Sequence, residues 1–208
     1  HSIFLTHEHC DHLTGIVWVV RAIATAMNQG NYIGNLDIYC HAGLEPMVRT
    51  MCGFMLQKKM TAHFDHRILF HIVTDRQKEQ ILGRTFTFFD ILSTKAPQFG
   101  FTAQLASGYL AFMGDEPVNP ACEDLACNAD FLLSEAFCLS EEADKFKPYE
   151  KHHSTAADAA QLAARLNVRV LILWHTEESD LDHRKVRYTQ EASRYFNGTV
   201  YVPNDLDV

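Results

Sequence analysis

Basic charge, paired cysteines and long apolar runs are all scarce in this chain. It sets 18 Lys and Arg against 26 Asp and Glu, for a formal charge of −8. That balance excludes a generally basic surface of the kind that grips nucleic acid through its phosphates. The short basic clusters Lys58-Lys59 and Arg184-Lys185-x-Arg187 read as solvated helix faces. Six cysteines (Cys10, Cys40, Cys52, Cys122, Cys127, Cys138) show no Cys-x-x-Cys spacing. A chain of 208 residues with 47% hydrophobic content buries a core without a disulfide framework, so reduced, mostly buried thiols in a cytoplasm are expected. No stretch is apolar for long enough to cross a bilayer, and no basic-then-apolar leader opens the chain, so no membrane partner is expected. Repeats and low-complexity linkers are lacking too, which gives one domain over 1–208. An initiator methionine is also missing: His1 runs straight into "SIFLTHEH", and the expectation is a domain incomplete at its N-terminus.

What is present alternates between short β-branched or aromatic runs and amphipathic stretches, as in α/β layering. "SIFLT" (2–6) reads as a buried strand, Thr14 to Gln29 as a helix closed by Gly30, "LDIYC" (36–40) as a strand, and Glu45 to Met60 as a helix with Pro46 in its first turn. From 68 to 113 the period becomes two, with candidate strands "ILFHIV", "EQIL", "TFTFFDIL", "GFTAQLA" and "YLAFMG" and hairpin turns at Gly83-Arg84 and Ser107-Gly108. The remainder reads "DFLLSEA" (130–136) strand, Thr155 to Leu166 helix, "VRVLILW" (168–174) strand, His183 to Phe196 helix and "TVYV" strand, with Thr155-x-x-Asp158 as a capping box.

The densest chemistry is "THEHCDH" (6–12), where His7, His9, Asp11 and His12 crowd directly behind the first strand. Imidazole nitrogen and carboxylate oxygen suit zinc, with iron and manganese as the other candidates. On a strand end His7 and His9 project to one side, while Asp11 and His12 begin the next element and face a second point, so the motif can feed one or two ions. The bland alternative, surface histidines in a polar turn, fits poorly with four ligands this dense.

"HEHCDH" matches H-x-H-x-D-H, and in this it resembles the metallo-β-lactamase superfamily. The resemblance implies an α/β fold, the αββα four-layer sandwich, lacking N-terminal strands here. It also implies later ligands on strand ends: Asp115, closing "YLAFMGD", as the bridging aspartate, and His175, closing "VRVLILWH", as the last histidine. One further histidine, expected before "GFTAQL", is absent; the stretch reads "DILSTKAPQFGF", with Lys95 or a close neighbour in its place. By this analogy Asp11, His12, Asp115 and His175 form a complete site, whereas His7, His9 and Asp115 form one that is a ligand short. Lys95 is open to three readings: a neutral amine ligand, an ammonium standing where a cation would be, or a solvent-facing residue.

Within the superfamily the chain is most similar to the ribonuclease Z and related phosphodiesterase branch. "ADFLLSEAF" resembles that branch's strand bearing a glutamate, here Glu135, and "HHSTAADAAQLAARLNVRVLILWH" resembles its histidine loop, which makes His153 the matching histidine. The implied activity is a metal-dependent hydrolase, a phosphodiesterase using a metal-bound hydroxide with Asp11 orienting it and His153 as general acid. Glu135 would set the tautomer of His153, and Lys95 would contact a substrate phosphate. Blander readings stand beside these: an ion pair on a strand end for Glu135, and a cap neighbour for His153, with His152 as its rival. A small or nucleotide-like phosphodiester is the expected substrate. Transfer RNA is not expected, because residues 96–114 leave no room for the long arm that holds it. A homodimer is a family-level expectation. Two alternatives remain open: a degenerate member with a binding or structural metal, and a thioester hydrolase or iron redox enzyme.

Overall fold

The computed structural model describes residues 1–207 and divides into two compact units, His1–Gln77 with Phe88–Phe99, and Lys78–Thr87 with Gly100 onward. In the first unit three strands, β1 (Ser2–Phe4), β2 (Leu36–Cys40) and β3 (Ile68–Ile72), pair in parallel in the order β1-β2-β3. Parallel neighbours need crossovers, and helices supply them. A short α1 (Cys10–Leu13) and the long α2 (Gly15–Asn28) join β1 to β2, and α3 (Leu44–Met55) with α4 (Lys58–Thr61) joins β2 to β3.

Ile16, Val17, Val20, Ala24 and Met27 recur at helical spacing and bury one face of α2, meeting Ile38, Leu44, Val48 and Ile68 in one core. Each fully buried Ile, Leu or Val there contributes about 1.5–3 kcal/mol. The single helix expected over 45–60 is broken: Leu56 is extended (φ −112°, ψ 156°) and closes α3 before α4 begins. Thr14 likewise separates α1 from α2, so the motif carries its own helical turn.

The larger sheet runs in the order β10-β9-β8-β7-β6-β5-β4. Its members are β4 (Lys78–Ile81), β5 (Arg84–Asp90), β6 (Phe99–Leu105), β7 (Gly108–Phe112), β8 (Phe131–Glu135), β9 (Val170–Trp174) and β10 (Thr199–Tyr201). The pairs β4–β5 and β6–β7 are antiparallel hairpins, whereas β7, β8, β9 and β10 are parallel. Both hairpin turns sit one residue earlier than the glycine spacing suggests. Ile81 pairs with Arg84 and Leu105 with Gly108, so Leu82-Gly83 and Ala106-Ser107 are the turns. Leu82 accepts the left-handed conformation (φ 50°) that the first of them requires.

Helices α5 (Ala143–Phe146), α6 (Ala156–Arg165) and α7 (Leu181–Ala192) complete the second unit. The Thr155–Asp158 capping box opens α6, and the buried alanines of that helix let it lie against β8, β9 and α7. All six cysteines are free, with Cys40, Cys52, Cys122 and Cys138 buried. No helix among the described residues is long and apolar enough to cross a membrane.

The expectation of a solvated basic face at 184–187 is corrected. Arg184 is buried, donating to Thr176 Oγ1, the Pro203 carbonyl and Asn204 Oδ1. Arg187 pairs with Glu141, Glu142 and Asp180, and Lys185 pairs with Asp207. These charges are consumed by tertiary partners that sequence spacing does not reveal.

Gly108 opens β7 at φ 138°, and a Cβ there would collide with the Asp130 carboxylate that accepts the Tyr109 N–H at 2.8 Å. Gly108→Ala is expected to cost about 1–3 kcal/mol. A denaturant melt showing no loss of stability would overturn that reading of the turn.

Candidate metal centre and proton-transfer pair

In the first unit, Leu5 donates to the Tyr39 carbonyl and Phe99 donates to that of Thr6, which fastens the chain on both sides just before the motif. The next residues leave the sheet, and the His9 carbonyl accepts from the N–H groups of His12 and Leu13 as α1 starts. His7 is buried and lies with its Nδ1 3.0 Å from Thr6 Oγ1 and its Nε2 2.9 Å from His9 Nδ1. Its ring centroid is 4.5 Å from that of His9 and 4.4 Å from that of His12. Asp11 is exposed, with Oδ2 3.3 Å from His12 Nε2. All four residues of the motif are therefore gathered between the end of β1 and the single turn of α1. Two nitrogens sharing an ion at about 2.0–2.1 Å lie about 3 Å apart, so the His7–His9 separation fits that donor set.

Lys95 is exposed on the turn between β5 and β6, where Ser93 Oγ accepts the Lys95 N–H at 3.1 Å and the Ala96 N–H at 3.4 Å.

His41 escaped the sequence reading. It follows β2 directly, is buried, stacks on Phe99 at 5.7 Å and takes the Gly43 N–H on Nδ1 at 3.2 Å. Burial holds its pKa below the ordinary histidine range and the His7 charge adds to this, while Glu8, Asp90 and a hydrogen bond with the Pro97 backbone oppose it. One signal could have found it: β1 and β2 are parallel, with Phe4 opposite Tyr39, so residues just past their C-termini share a sheet edge.

In the second unit the same logic works three times. β7, β8 and β9 are parallel, and each delivers an ionisable residue at or just past its C-terminal end: Asp115, Glu135 and His175. Gly114 turns the chain at φ 88° to present Asp115, and His175 itself adopts φ 53°. Asp115 is buried, with Oδ1 3.0 Å from His175 Nε2. His153 arrives from the loop before α6 and stacks between Phe137 and His175, each at 5.0 Å. Ligand atoms of Asp115, His153 and His175 lie within 4.8 Å of one another, so this trio too has metal-holding chemistry.

Glu135 is fully buried, its Oε1 accepting the Ser154 N–H at 2.7 Å and its Oε2 3.4 Å from His153 Nδ1. Burial pushes its carboxyl above the usual carboxylate range, and the bonds from His153 and Ser154 pull the other way. His152, the rival of His153, is exposed in a left-handed conformation at φ 58°, so Glu135 faces His153.

The family described as beta-lactamase superfamily domain matches residues 1–176. The chain belongs to that superfamily. This metallo-β-lactamase superfamily protein resembles ribonuclease Z of Lactobacillus helveticus at 26% identity, over 99% of this chain and 78% of that one. Ribonuclease Z of Nocardia farcinica is 37% identical over 46% of this chain and 30% of that protein. Among solved structures, the metallo-beta-lactamase fold protein YhfI from Bacillus subtilis has a TM-score of 0.73 at 20% identity, covering 98% of this chain and 75% of that chain. The short form of human tRNase Z has a TM-score of 0.69 at 20% identity, covering 99% and 77%. The metallo-β-lactamase fold is thus confirmed, and with it a metal-dependent hydrolase of the ribonuclease Z-like branch. The exclusion of transfer RNA finds no support in these relatives. Within residues 96–114, Phe99–Leu105 and Gly108–Phe112 form the β6–β7 hairpin.

Proposed function

We propose that this hydrolase is a phosphodiesterase acting on RNA-like or nucleotide-like substrates, with zinc as its metal. The residues proposed as ligands are His7, His9, Asp11 and His12 of the first unit and Asp115 and His175 of the second. Their nitrogen and carboxylate donors suit zinc. Bound there, the ion would supply Lewis-acid activation of water and of a phosphoryl oxygen.

The proton step falls to the chain's own residues. Departure of an alkoxide needs an acid, and His153, with its Nδ1 toward Glu135, is the proposed donor. Glu135 fixes that orientation, and Ser154 in turn fixes Glu135. Asp11, exposed beside His12, would orient the attacking water, and the exposed ammonium of Lys95 would contact a substrate phosphate.

The buried Glu135–His153 pair carries this reading, since a purely structural metal site has no use for an acid and its partner. Protein purified without chelator is expected to contain zinc and to hydrolyse bis(p-nitrophenyl) phosphate, with turnover lost to chelator and restored by zinc. Metal-replete protein inert toward that diester would sink the proposal.

A further inference from the structure

Beside the histidine loop the first unit has an open pocket of about 440 Å³, lined by Glu8, Leu13, Pro46, Met47, Thr50 and Met51. Its position follows from the chain: Glu8 lies between His7 and His9, and Leu13 follows His12, so two of its six lining residues adjoin residues proposed as ligands. Four of the six are apolar. Two of these are methionines, whose thioethers are polarizable and make favourable contacts with flat aromatic rings.

The polar part of the lining is one-sided. Glu8 carries the only charge, and an ionised carboxylate only accepts. The Thr50 hydroxyl spends its proton on the Pro46 carbonyl at 2.7 Å, so it too faces a ligand with lone pairs. A planar ligand satisfying this lining must donate.

We infer that this pocket is a base-binding subsite that selects guanine. Guanine presents N1–H and N2–H side by side, two parallel donors that match the two oxygens of one carboxylate. Adenine and cytosine set a ring acceptor beside their amine, and uracil flanks its single N–H with carbonyls. Against an acceptor-only lining each of these meets repulsion where guanine meets a bond.

The inference rests on the phosphodiesterase reading for the base's attachment to a scissile phosphate. Its test separates the two. The p-nitrophenyl esters of GMP, AMP and UMP are compared by kcat/KM with bis(p-nitrophenyl) phosphate, which has no base. The guanosine ester is expected to exceed the others by about tenfold or more, the discrimination of one two-pronged pair. Calorimetry is expected to show GMP binding more tightly than AMP, with Glu8→Gln erasing the difference and Met47→Ala weakening GMP binding.

Equal rates on the three nucleotide esters, with the baseless diester still hydrolysed, overturn the subsite and spare the phosphodiesterase. GMP preference in calorimetry that Glu8→Gln abolishes, in a protein that hydrolyses no diester, supports the subsite and removes the phosphodiesterase. Self-association that Met47→Glu abolishes, with no GMP preference in the parent, overturns the inference in favour of a second copy of the chain in the pocket.

Discussion

Replacing His153 with alanine is expected to lower kcat for bis(p-nitrophenyl) phosphate by about 10²–10⁴-fold, the range that a positioned proton donor contributes. The imidazole is buried between Phe137 and His175 and faces Glu135, which suits proton transfer and leaves little room for a role in substrate capture. KM is therefore expected to change far less than kcat. Glu135→Gln separates an acid from a bystander. The amide keeps an acceptor for the Ser154 N–H but cannot hold the His153 ring as the carboxylate does, so kcat is expected to fall while KM changes little. A His153→Ala protein with undiminished kcat, or a Glu135→Gln protein with unchanged kcat, would remove the pair from the mechanism.

Asp115→Ala is expected to be at least as damaging. If the residue is a ligand, its loss takes metal and activity together, and turnover falls by at least about 10³-fold, corresponding to several kcal/mol of charge stabilisation. Stability gives an independent readout. A ligand that binds only the folded state raises stability by about 2.7 kcal/mol at a hundredfold excess over its dissociation constant, so zinc should raise the melting temperature of the parent protein and not that of the variant. Equal zinc content and an equal zinc-induced shift in the two proteins would show that Asp115 is not a ligand. Its 3.0 Å approach to His175 would then be an ordinary buried ion pair.

The parts of this molecule that could be read from sequence are those written locally. "LDIYC" is a strand over the residues expected, and the Thr155–Asp158 box opens its helix, because alternation and capping act over a few residues. The motif at 7–12 was legible for the same reason. Leu82 was not, since its left-handed backbone is imposed by the pairing of Ile81 with Arg84. The break at Leu56 lies inside a stretch whose apolar spacing runs on as if helical.

In the site the division is similar. Asp115, Glu135 and His175 declare themselves as ionisable residues at strand ends, and family resemblance supplied the order. His41 sits just as close to a strand end, but a lone histidine carries no spacing signal, and its place beside the end of β1 and its burial stand out only in the fold. The choice between His152 and His153 also needed three dimensions, because adjacent residues point apart and only one meets Glu135. Arg184 misled for the converse reason: its partners lie at Thr176, Pro203 and Asn204, and nothing in "HRKVR" announces them.

Glu191, buried on α7, accepts the Ser140 N–H at 3.0 and 3.1 Å, the Ser140 hydroxyl at 2.9 Å and the Ala157 N–H at 3.0 Å. One carboxylate thus clasps both ends of the segment that carries His153, and three of the four bonds come from backbone. Such a clasp, made mostly through backbone, is strict about the distance between positions 140 and 157. In evolutionary terms the length of this segment is held, and insertions that surface loops elsewhere would absorb should be rare between Ser140 and Ala157.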